Sequence, residues 1–308
     1  MSNTDILISE VGPRDGLQSL ATIMPTEAKK EWITALANAG VAEIEVGSFV
    51  PAKVLPQLAD TAEIVAHALT IPGLEVAVLV PNFRGAENAV QSGAHKISIP
   101  LSVSETHSLK NVKRTHAQML EEIARIAELV NDQPEASRPH FEVGLSTAFG
   151  CSITGPVAED LVFKLAEAAI EAGANEVGLS DTTGYGNPAQ LKRLVKGVWD
   201  AVGRDKLNGV HLHNTRGQGL ANALAALDLG LTTIDSSMGG IGGCPFAPGA
   251  SGNIVTEDLF FLIESMGLNT GISFEGLVAA RDVFAKAMPD VEMYGFTPLA
   301  GLPKGFVR

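Results

Sequence analysis

Short apolar runs rich in β-branched residues alternate along this chain with longer segments in which apolar residues recur every three or four positions. Side chains alternate between two faces on a strand and return to one face about every 3.6 residues on a helix. The short runs therefore predict strands, and the longer segments predict amphipathic helices. The eight predicted strands are residues 6–11, 43–47, 75–80, 96–100, 140–146, 176–181, 209–214 and 233–237.

Strict alternation of strand and helix favours an α/β fold, the closed (β/α)8 TIM barrel, over an open doubly wound sheet. Predicted helices include residues 26–39, with Thr26 as the N-cap, and residues 157–172. Two or three additional C-terminal helices follow Asn253 and are expected to cover one face of the barrel. Glycines that directly follow predicted helices indicate left-handed C-terminal caps, at Gly40, Gly93, Gly173 and Gly230.

The length and the charge narrow the class of protein. A chain of 308 residues suits one barrel of roughly 250 residues with extensions. We expect one domain over residues 1–308, with the barrel at about 5–255 and a helical extension at about 256–308. The formal charge of −13 is spread along the chain, which argues against a nucleic-acid partner and requires local cations for any anionic substrate. With two cysteines, no apolar N-terminal segment and no 18-residue apolar run, we expect a cytoplasmic protein with free thiols and no membrane partner.

Polar side chains cluster at the C-terminal ends of the predicted strands, where barrel enzymes carry their chemistry. His211 and His213 lie two residues apart at the end of one strand, so both point to one face. Arg14 and Asp15 follow the first strand. Two neutral imidazoles with a carboxylate suit Mg²⁺ or Mn²⁺ better than zinc, which commonly has a thiolate ligand. Asn253 is a possible fourth ligand through its amide oxygen, or alternatively the start of the helix before Thr256.

Each of these signals has a simpler explanation. The two histidines are alternatively a hydrogen-bonded pair in the barrel mouth, and the Arg14–Asp15 pair a surface ion pair. Cys244, in a glycine-rich loop, is either reactive or a small buried residue. Cys151 also lies near the mouth, where it is a weaker candidate for substrate contact. The remaining histidines are expected to be structural or solvated.

The motifs resemble those of the 3-hydroxy-3-methylglutaryl-CoA lyase family, which is a family of metal-dependent TIM-barrel enzymes. The resemblance extends over nearly the whole chain and is most specific in the segments around Cys244 and Asn253. It implies that Asp15, His211, His213 and Asn253 hold the metal. It also implies that Arg14 is the catalytic arginine, that Glu45 is an acid behind the ligands, and that Cys244 is an acid or base on a mobile loop. Further residues that the resemblance assigns to the site are Asp181 and His211 for catalysis and Gln18 for substrate binding.

The implied reaction is the retro-Claisen cleavage of 3-hydroxy-3-methylglutaryl-CoA into acetyl-CoA and acetoacetate. The metal would lower the pKa of the tertiary hydroxyl, Arg14 would stabilise the charge on the thioester oxygen, and Cys244 would protonate the enolate carbon. The partner is therefore an acyl-CoA thioester, and we expect a homo-oligomer, either a dimer or a tetramer. The densest cationic cluster that follows a barrel strand, and the candidate for the CoA phosphates, is Lys110, Lys113 and Arg114.

Two departures from the family pattern leave the acyl group open. Arg216 replaces the usual tyrosine after the second histidine, where it would alter the pocket, reach a substrate carboxylate or bond a neighbouring acid such as Asp235 or Glu257. Residues 99–105 also differ from the usual small-residue stretch. Citramalyl-CoA or a longer-branched 3-hydroxyglutaryl-CoA is therefore an alternative substrate. Alternative functions are a Claisen-condensing acyltransferase of the isopropylmalate or homocitrate synthase type, and a non-catalytic metal-binding barrel.

Overall fold

The computed structural model describes residues 4–242 and 252–306. Within these residues, eight parallel strands pair in sequence order, and β1 pairs with β8, so the sheet closes into a barrel. The predicted (β/α)8 architecture is confirmed. The strands are β1 Leu7–Glu10, β2 Glu43–Ser48, β3 Glu75–Leu79, β4 Lys96–Ser102, β5 His140–Ser146, β6 Glu176–Asp181, β7 Gly209–Leu212 and β8 Thr233–Ser236.

The helices surround the barrel and follow the strands in turn. They are α1 Thr26–Asn38, α2 Thr61–Ala68, α3 Phe83–Ser92, α4 Glu105–Asn111, α5 His116–Asn131, α6 Glu159–Glu171, α7 Pro188–Val202, α8 Gly219–Leu229, α9 Thr256–Ser265, α10 Phe274–Ala287 and α11 Thr297–Ala300. Short helical turns cover Gly12–Gly16, Pro56–Leu58, Glu135–Ser137, Arg204–Lys206 and Met238–Gly240.

The hydrophobic core lies between the barrel and the helices. Ile44, Val143 and Ile234 are fully buried on the helix-facing side of their strands. The barrel interior is polar by contrast, because Lys96 of β4 forms ion pairs of 2.7 Å with Glu142 and 3.5 Å with Glu43. Strand β3 separates β2 from β4, so the Glu43–Lys96 pair must cross the interior. Apolar burial therefore stabilises the packing between the strands and the helices, whereas paired charges fill the barrel interior.

Strands β5 and β6 have the predicted bounds, and the other strands differ from the prediction by one or two residues at one or both ends. Thr26 is not the N-cap of α1: Pro25 occupies that position, and the Thr26 hydroxyl donates to Asp60 Oδ2 at 2.8 Å. The expectation for the helix-ending glycines is confirmed, since they all have a positive φ, of 100° at Gly40, 80° at Gly93, 104° at Gly173 and 91° at Gly230.

The helices after Asn253 do not cover a face of the barrel. Helix α9 contacts α8 and β1, and α10 packs along α1. Trp32 of α1 and Phe284 of α10 are both fully buried, with ring centroids 4.7 Å apart. These helices thus close the helical ring at the β8–β1 seam and leave the mouth to the loops. Among the described residues, no helix is long and apolar enough to cross a membrane.

Candidate metal and catalytic site

A tight turn after β1 carries Arg14 and Asp15 to the mouth of the barrel. The Val11 carbonyl oxygen accepts hydrogen bonds from the backbone N–H groups of Arg14 at 3.1 Å and Asp15 at 2.7 Å. The turn begins at Gly12, where an added Cβ would lie 2.5 Å from Glu10 Oε1 and 3.0 Å from the Trp32 ring. Glycine suits this position because a side chain would displace Glu10 or Trp32.

Asp15, His211 and His213 meet at the mouth, with one ligand atom from each within 4.8 Å of the others. The Nε2 atoms of His211 and His213 are 3.0 Å apart, and His213 Nε2 lies 3.9 Å from Asp15 Oδ2. Neighbouring ligands of an octahedral ion with bonds of about 2.1 Å lie about 3 Å from each other. The spacing of the two imidazole nitrogens therefore fits a divalent ion.

The charges of the triad also suit a cation. Burial, together with the nearby His211, lowers the pKa of His213 to about 4, so its ring is neutral at pH 7. Burial alone would raise the pKa of Asp15, but Arg14, His211 and His213 hold it well below the usual range. Asp15 is thus available as an anionic ligand and His213 as a neutral one, without a change in protonation.

His211 is oriented by Asp235 of β8, whose Oδ2 lies 3.1 Å from His211 Nδ1. This contact leaves Nε2 of His211 facing the triad. Burial lowers the pKa of His211, but the hydrogen bond with Asp235 and the charge of Asp15 outweigh it and raise the pKa overall. A carboxylate behind a ligating histidine fixes the ring and increases its basicity.

Asn253 lies beside the triad because it forms an antiparallel bridge with His213. Its Nδ2 donates to Asp15 Oδ2 at 2.7 Å and to the Ile241 carbonyl at 3.2 Å. Its Oδ1 is buried and has no hydrogen-bond partner among the described residues. A buried amide oxygen without a partner is costly, and coordination of an ion would remove that cost. The alternative that Asn253 caps the next helix is wrong, since Val255 is the N-cap residue of α9.

Arg14 bridges the carboxylates of Asp15 and Glu45. Its Nε donates to Glu45 Oε2 at 2.5 Å and its Nη1 to Asp15 Oδ1 at 2.7 Å. Within the described residues, its Nη2 has no hydrogen-bond partner, so one donor remains for a substrate. Burial raises the pKa of Glu45 despite the charge of Arg14, and Ser98 donates to its other oxygen at 3.0 Å. Gln18, expected to bind substrate, donates to Asp15 Oδ1 at 2.6 Å.

Asp181 organises the loop after β6. Its two carboxylate oxygens accept the backbone N–H groups of Tyr185 and Gly186, both at 2.9 Å. Burial raises the pKa of Asp181 to about 6, although these bonds and the nearby His211 and Arg216 oppose the shift. Asp181 therefore lies within electrostatic reach of the triad and is ionised in most molecules at pH 7.

The sequence analysis also named two lysines, an arginine and two cysteines. Lys110 and Lys113 are exposed after β4, whereas Arg114 pairs with Glu122 at 3.1 Å. Cys151 is fully buried, and its sulfur accepts the Ile153 N–H at 3.4 Å. Hydrogen bonds from Ser104 and Thr154 lower the pKa of this thiol against the opposing effect of burial. Cys244 lies outside the described residues.

Sequence reasoning missed Asp235 as the partner of His211 and misjudged the partners of Arg216. Asp235 bonds His211, and Glu257 forms an ion pair of 2.6 Å with Arg281, so neither acid binds Arg216. Asp235 could have been found from the sequence, because it is an acid in the middle of a predicted strand. That strand follows the one that carries His211 and is expected to be its neighbour in the barrel. Strand pairing places Asp235 directly opposite His211.

Comparisons with known proteins show the family to which the chain belongs. The HMGL-like family model matches residues 5–284. The chain is 38% identical over 283 residues to a cytoplasmic 3-hydroxy-3-methylglutaryl-CoA lyase of Rattus norvegicus, covering 92% of this chain and 81% of the relative. A hydroxymethylglutaryl-CoA lyase of Bacillus subtilis is also 38% identical, over 89% of this chain and 90% of the relative. An HMG-CoA lyase from Acinetobacter baumannii, solved with coenzyme A and 3-methylmalate, superposes with a TM-score of 0.90 at 36% identity, covering 100% of this chain and 99% of that one.

Proposed function

The chain belongs to the HMGL-like family, and we propose that it is a divalent-metal-dependent lyase that cleaves 3-hydroxy-3-methylglutaryl-CoA into acetyl-CoA and acetoacetate. The observation that carries the proposal is the convergence of Asp15, His211 and His213 beside Arg14 at the barrel mouth. We propose Mg²⁺ or Mn²⁺ as the ion, held by this triad and the amide oxygen of Asn253.

Cleavage breaks the bond between the hydroxyl-bearing carbon and the carbon next to the thioester. The hydroxyl loses its proton and becomes the ketone of acetoacetate, while the bonding electrons form the enolate of acetyl-CoA. When bound, a divalent ion lowers the pKa of a hydroxyl and favours its ionisation. We assign to Arg14 Nη2 the hydrogen bond that stabilises charge on the thioester oxygen.

Proton transfer needs a base for the hydroxyl and an acid for the enolate carbon. Asp181 has a carboxylate at the mouth whose pKa of about 6 suits a base at neutral pH. We assign to His211, whose ring is oriented by Asp235, a catalytic role through the metal that it would hold. We retain Cys244 as the acid that protonates the enolate carbon.

We further propose that Lys110 and Lys113 bind the CoA phosphates, because both are exposed cations that follow a barrel strand at the catalytic end. Arg114 is a weaker contributor, since Glu122 already neutralises its guanidinium. We also propose that residues 1–308 form one catalytic domain, that the chain assembles as a dimer or tetramer, and that it works in the cytoplasm. Relatives are named as cytoplasmic and as mitochondrial enzymes, so localisation calls for a direct measurement.

The direct test is a panel of CoA thioesters assayed with added Mg²⁺ or Mn²⁺ for release of acetyl-CoA. The proposal expects 3-hydroxy-3-methylglutaryl-CoA to give the highest kcat/KM. A preference for citramalyl-CoA or a longer-branched 3-hydroxyglutaryl-CoA would show that the protein is a lyase with a different substrate. Condensation of acetyl-CoA with a 2-oxo acid, with release of CoA, would indicate a synthase. No reaction with any of these would favour a non-catalytic barrel.

A further inference from the structure

Arg216 holds a fixed position on the rim of the barrel mouth, three residues beyond His213. Its Nη1 donates to the carbonyl oxygens of Thr183 and Gly184, both at 3.2 Å. Its Cζ lies 4.6 Å from the centroid of the Tyr185 ring. The two carbonyls and the aromatic face therefore restrain the guanidinium although the residue is exposed.

Tyr185 is itself supported from the other side. A Cβ added to Gly150 would lie 2.8 Å from Tyr185 Cδ2, so the ring packs directly on the backbone of Gly150. Gly150, Tyr185 and Arg216 belong to the loops after β5, β6 and β7, in that order. We call this arrangement the rim stack. It orders the arginine before any ligand arrives, which reduces the entropy lost on binding.

Arg216 has no direct ion-pair partner among the described residues, whereas Arg14 and Arg281 are paired with acids. The chain has a formal charge of −13, so it has more carboxylates than are needed to pair with its cations. The positive charge is felt in the site, since it opposes the rise in the pKa of Asp181. Its Nη1 contacts restrain the guanidinium, and its Nε and Nη2 donors have no partner within residues 4–242 and 252–306, so they can bind an oxyanion.

We propose that Arg216 is a specificity-determining residue that binds an anionic group of the acyl-CoA substrate at the rim. This inference rests on the proposed function and adds a recognition contact outside the metal and acid-base groups. The shared chemistry is a planar or tetrahedral oxyanion, supplied either by the free carboxylate of the acyl group or by a phosphate of CoA.

The test compares Arg216→Gln with a matched control, Arg204→Gln. Arg204 also lies over an aromatic ring, at 4.4 Å from the Trp199 centroid, and its Nη2 donates to the Leu229 carbonyl at 2.9 Å. It precedes β7 and so lies at the opposite end of the barrel. Dissociation constants for 3-hydroxy-3-methylglutaryl-CoA are measured by calorimetry in EDTA, which requires no turnover. We expect about 10- to 100-fold weaker binding for Arg216→Gln, an intermediate loss for Arg216→Lys, and no change beyond twofold for Arg204→Gln.

Two further arms identify the anion. The same acyl group is offered on pantetheine, which has no phosphate, and CoA is offered alone, which has no acyl carboxylate. A loss that persists with the pantetheine thioester identifies the carboxylate, and a loss with CoA alone identifies a phosphate. Either result supports the inference.

Equal dissociation constants for wild type and Arg216→Gln would overturn the inference, even if the wild type cleaves the substrate. A fall in kcat with unchanged binding would also overturn it, because it would show that Arg216 only orders the loops. Binding that depends on Arg216 without any cleavage by the metal-loaded wild type would support this inference and refute the proposed function.

Discussion

Replacing Arg14 with lysine separates the two tasks of this side chain, which are holding two buried carboxylates and donating to the substrate. The planar guanidinium contacts Glu45 through Nε and Asp15 through Nη1 at the same time. A lysine ammonium is a single point of charge at the end of a flexible chain. It can reach one of the two carboxylates, and it has no second fixed donor in the position of Nη2.

The expected effects follow from these lost contacts. Losing the donor to the developing thioester oxyanion lowers kcat by about 10²- to 10³-fold. Losing one charge-assisted hydrogen bond to a buried carboxylate reduces the free energy of unfolding by about 1.5–3 kcal/mol. Arg14 is only 9% exposed, so solvent does not compensate the carboxylate that is left unpaired. The variant should therefore be both slower and less stable.

The assay measures acetyl-CoA release at saturating Mg²⁺, alongside urea unfolding of the same preparations. Arg281→Lys is the matched control, because Arg281 forms a similar ion pair with the buried Glu257 and donates to the Met293 carbonyl. It should lose comparable stability and keep its kcat within about threefold. If Arg14→Lys retained the wild-type kcat while losing stability, Arg14 would be structural and its catalytic assignment would be refuted.

Three further predictions concern other polar groups of the barrel. His213→Ala should abolish turnover and weaken Mn²⁺ binding, and unchanged Mn²⁺ affinity by calorimetry would exclude His213 as a ligand. Asp235→Asn should weaken Mn²⁺ binding about 10- to 100-fold, because the His211 ring loses its carboxylate; an unchanged titration curve would contradict this. Burial raises the pKa of Glu10 to about 8 in the folded protein, so folding favours the protonated form of this side chain. The resulting contribution to the free energy of unfolding is complete below the ordinary pKa near 4.5 and is lost as the pH rises through 8. The total loss is up to about 5 kcal/mol. Glu10→Gln should flatten that dependence in urea unfolding at pH 5 and pH 8, and curves parallel to the wild type would show that Glu10 does not cause it.

The sequence pattern predicted the barrel because apolar residues predominate on the helix-facing side of the strands, and eight such runs separated by helices have few other solutions. The strand ends were less predictable, since periodicity does not mark where pairing stops. Strand β4 continues beyond Pro100 to Ser102, because the backbone still pairs with β5 there. The prediction of Thr26 as the N-cap of α1 was wrong because a threonine hydroxyl has several possible partners. Here the partner is Asp60, which is distant in the sequence.

The metal triad was predictable because two rules converge on it, the two-residue spacing of the histidines and the position of barrel chemistry at strand ends. The partners that orient the triad were not, since they depend on which side chains of different strands meet in space. Gln18 turned out to hold Asp15, and Asp235 to hold His211. The contacts of Arg216 could not be predicted, because they are made with the loop after β6 and no local sequence pattern specifies the path of that loop.

The central claim is that one divalent ion, held by Asp15, His211 and His213, is required for cleavage of an acyl-CoA thioester. The most direct measurement strips the protein with a chelator and follows acetyl-CoA release from 3-hydroxy-3-methylglutaryl-CoA as Mn²⁺ is added back under tight-binding conditions. The account predicts no activity without metal and a linear rise that reaches its plateau at one ion per chain. Full activity in the stripped protein would contradict it.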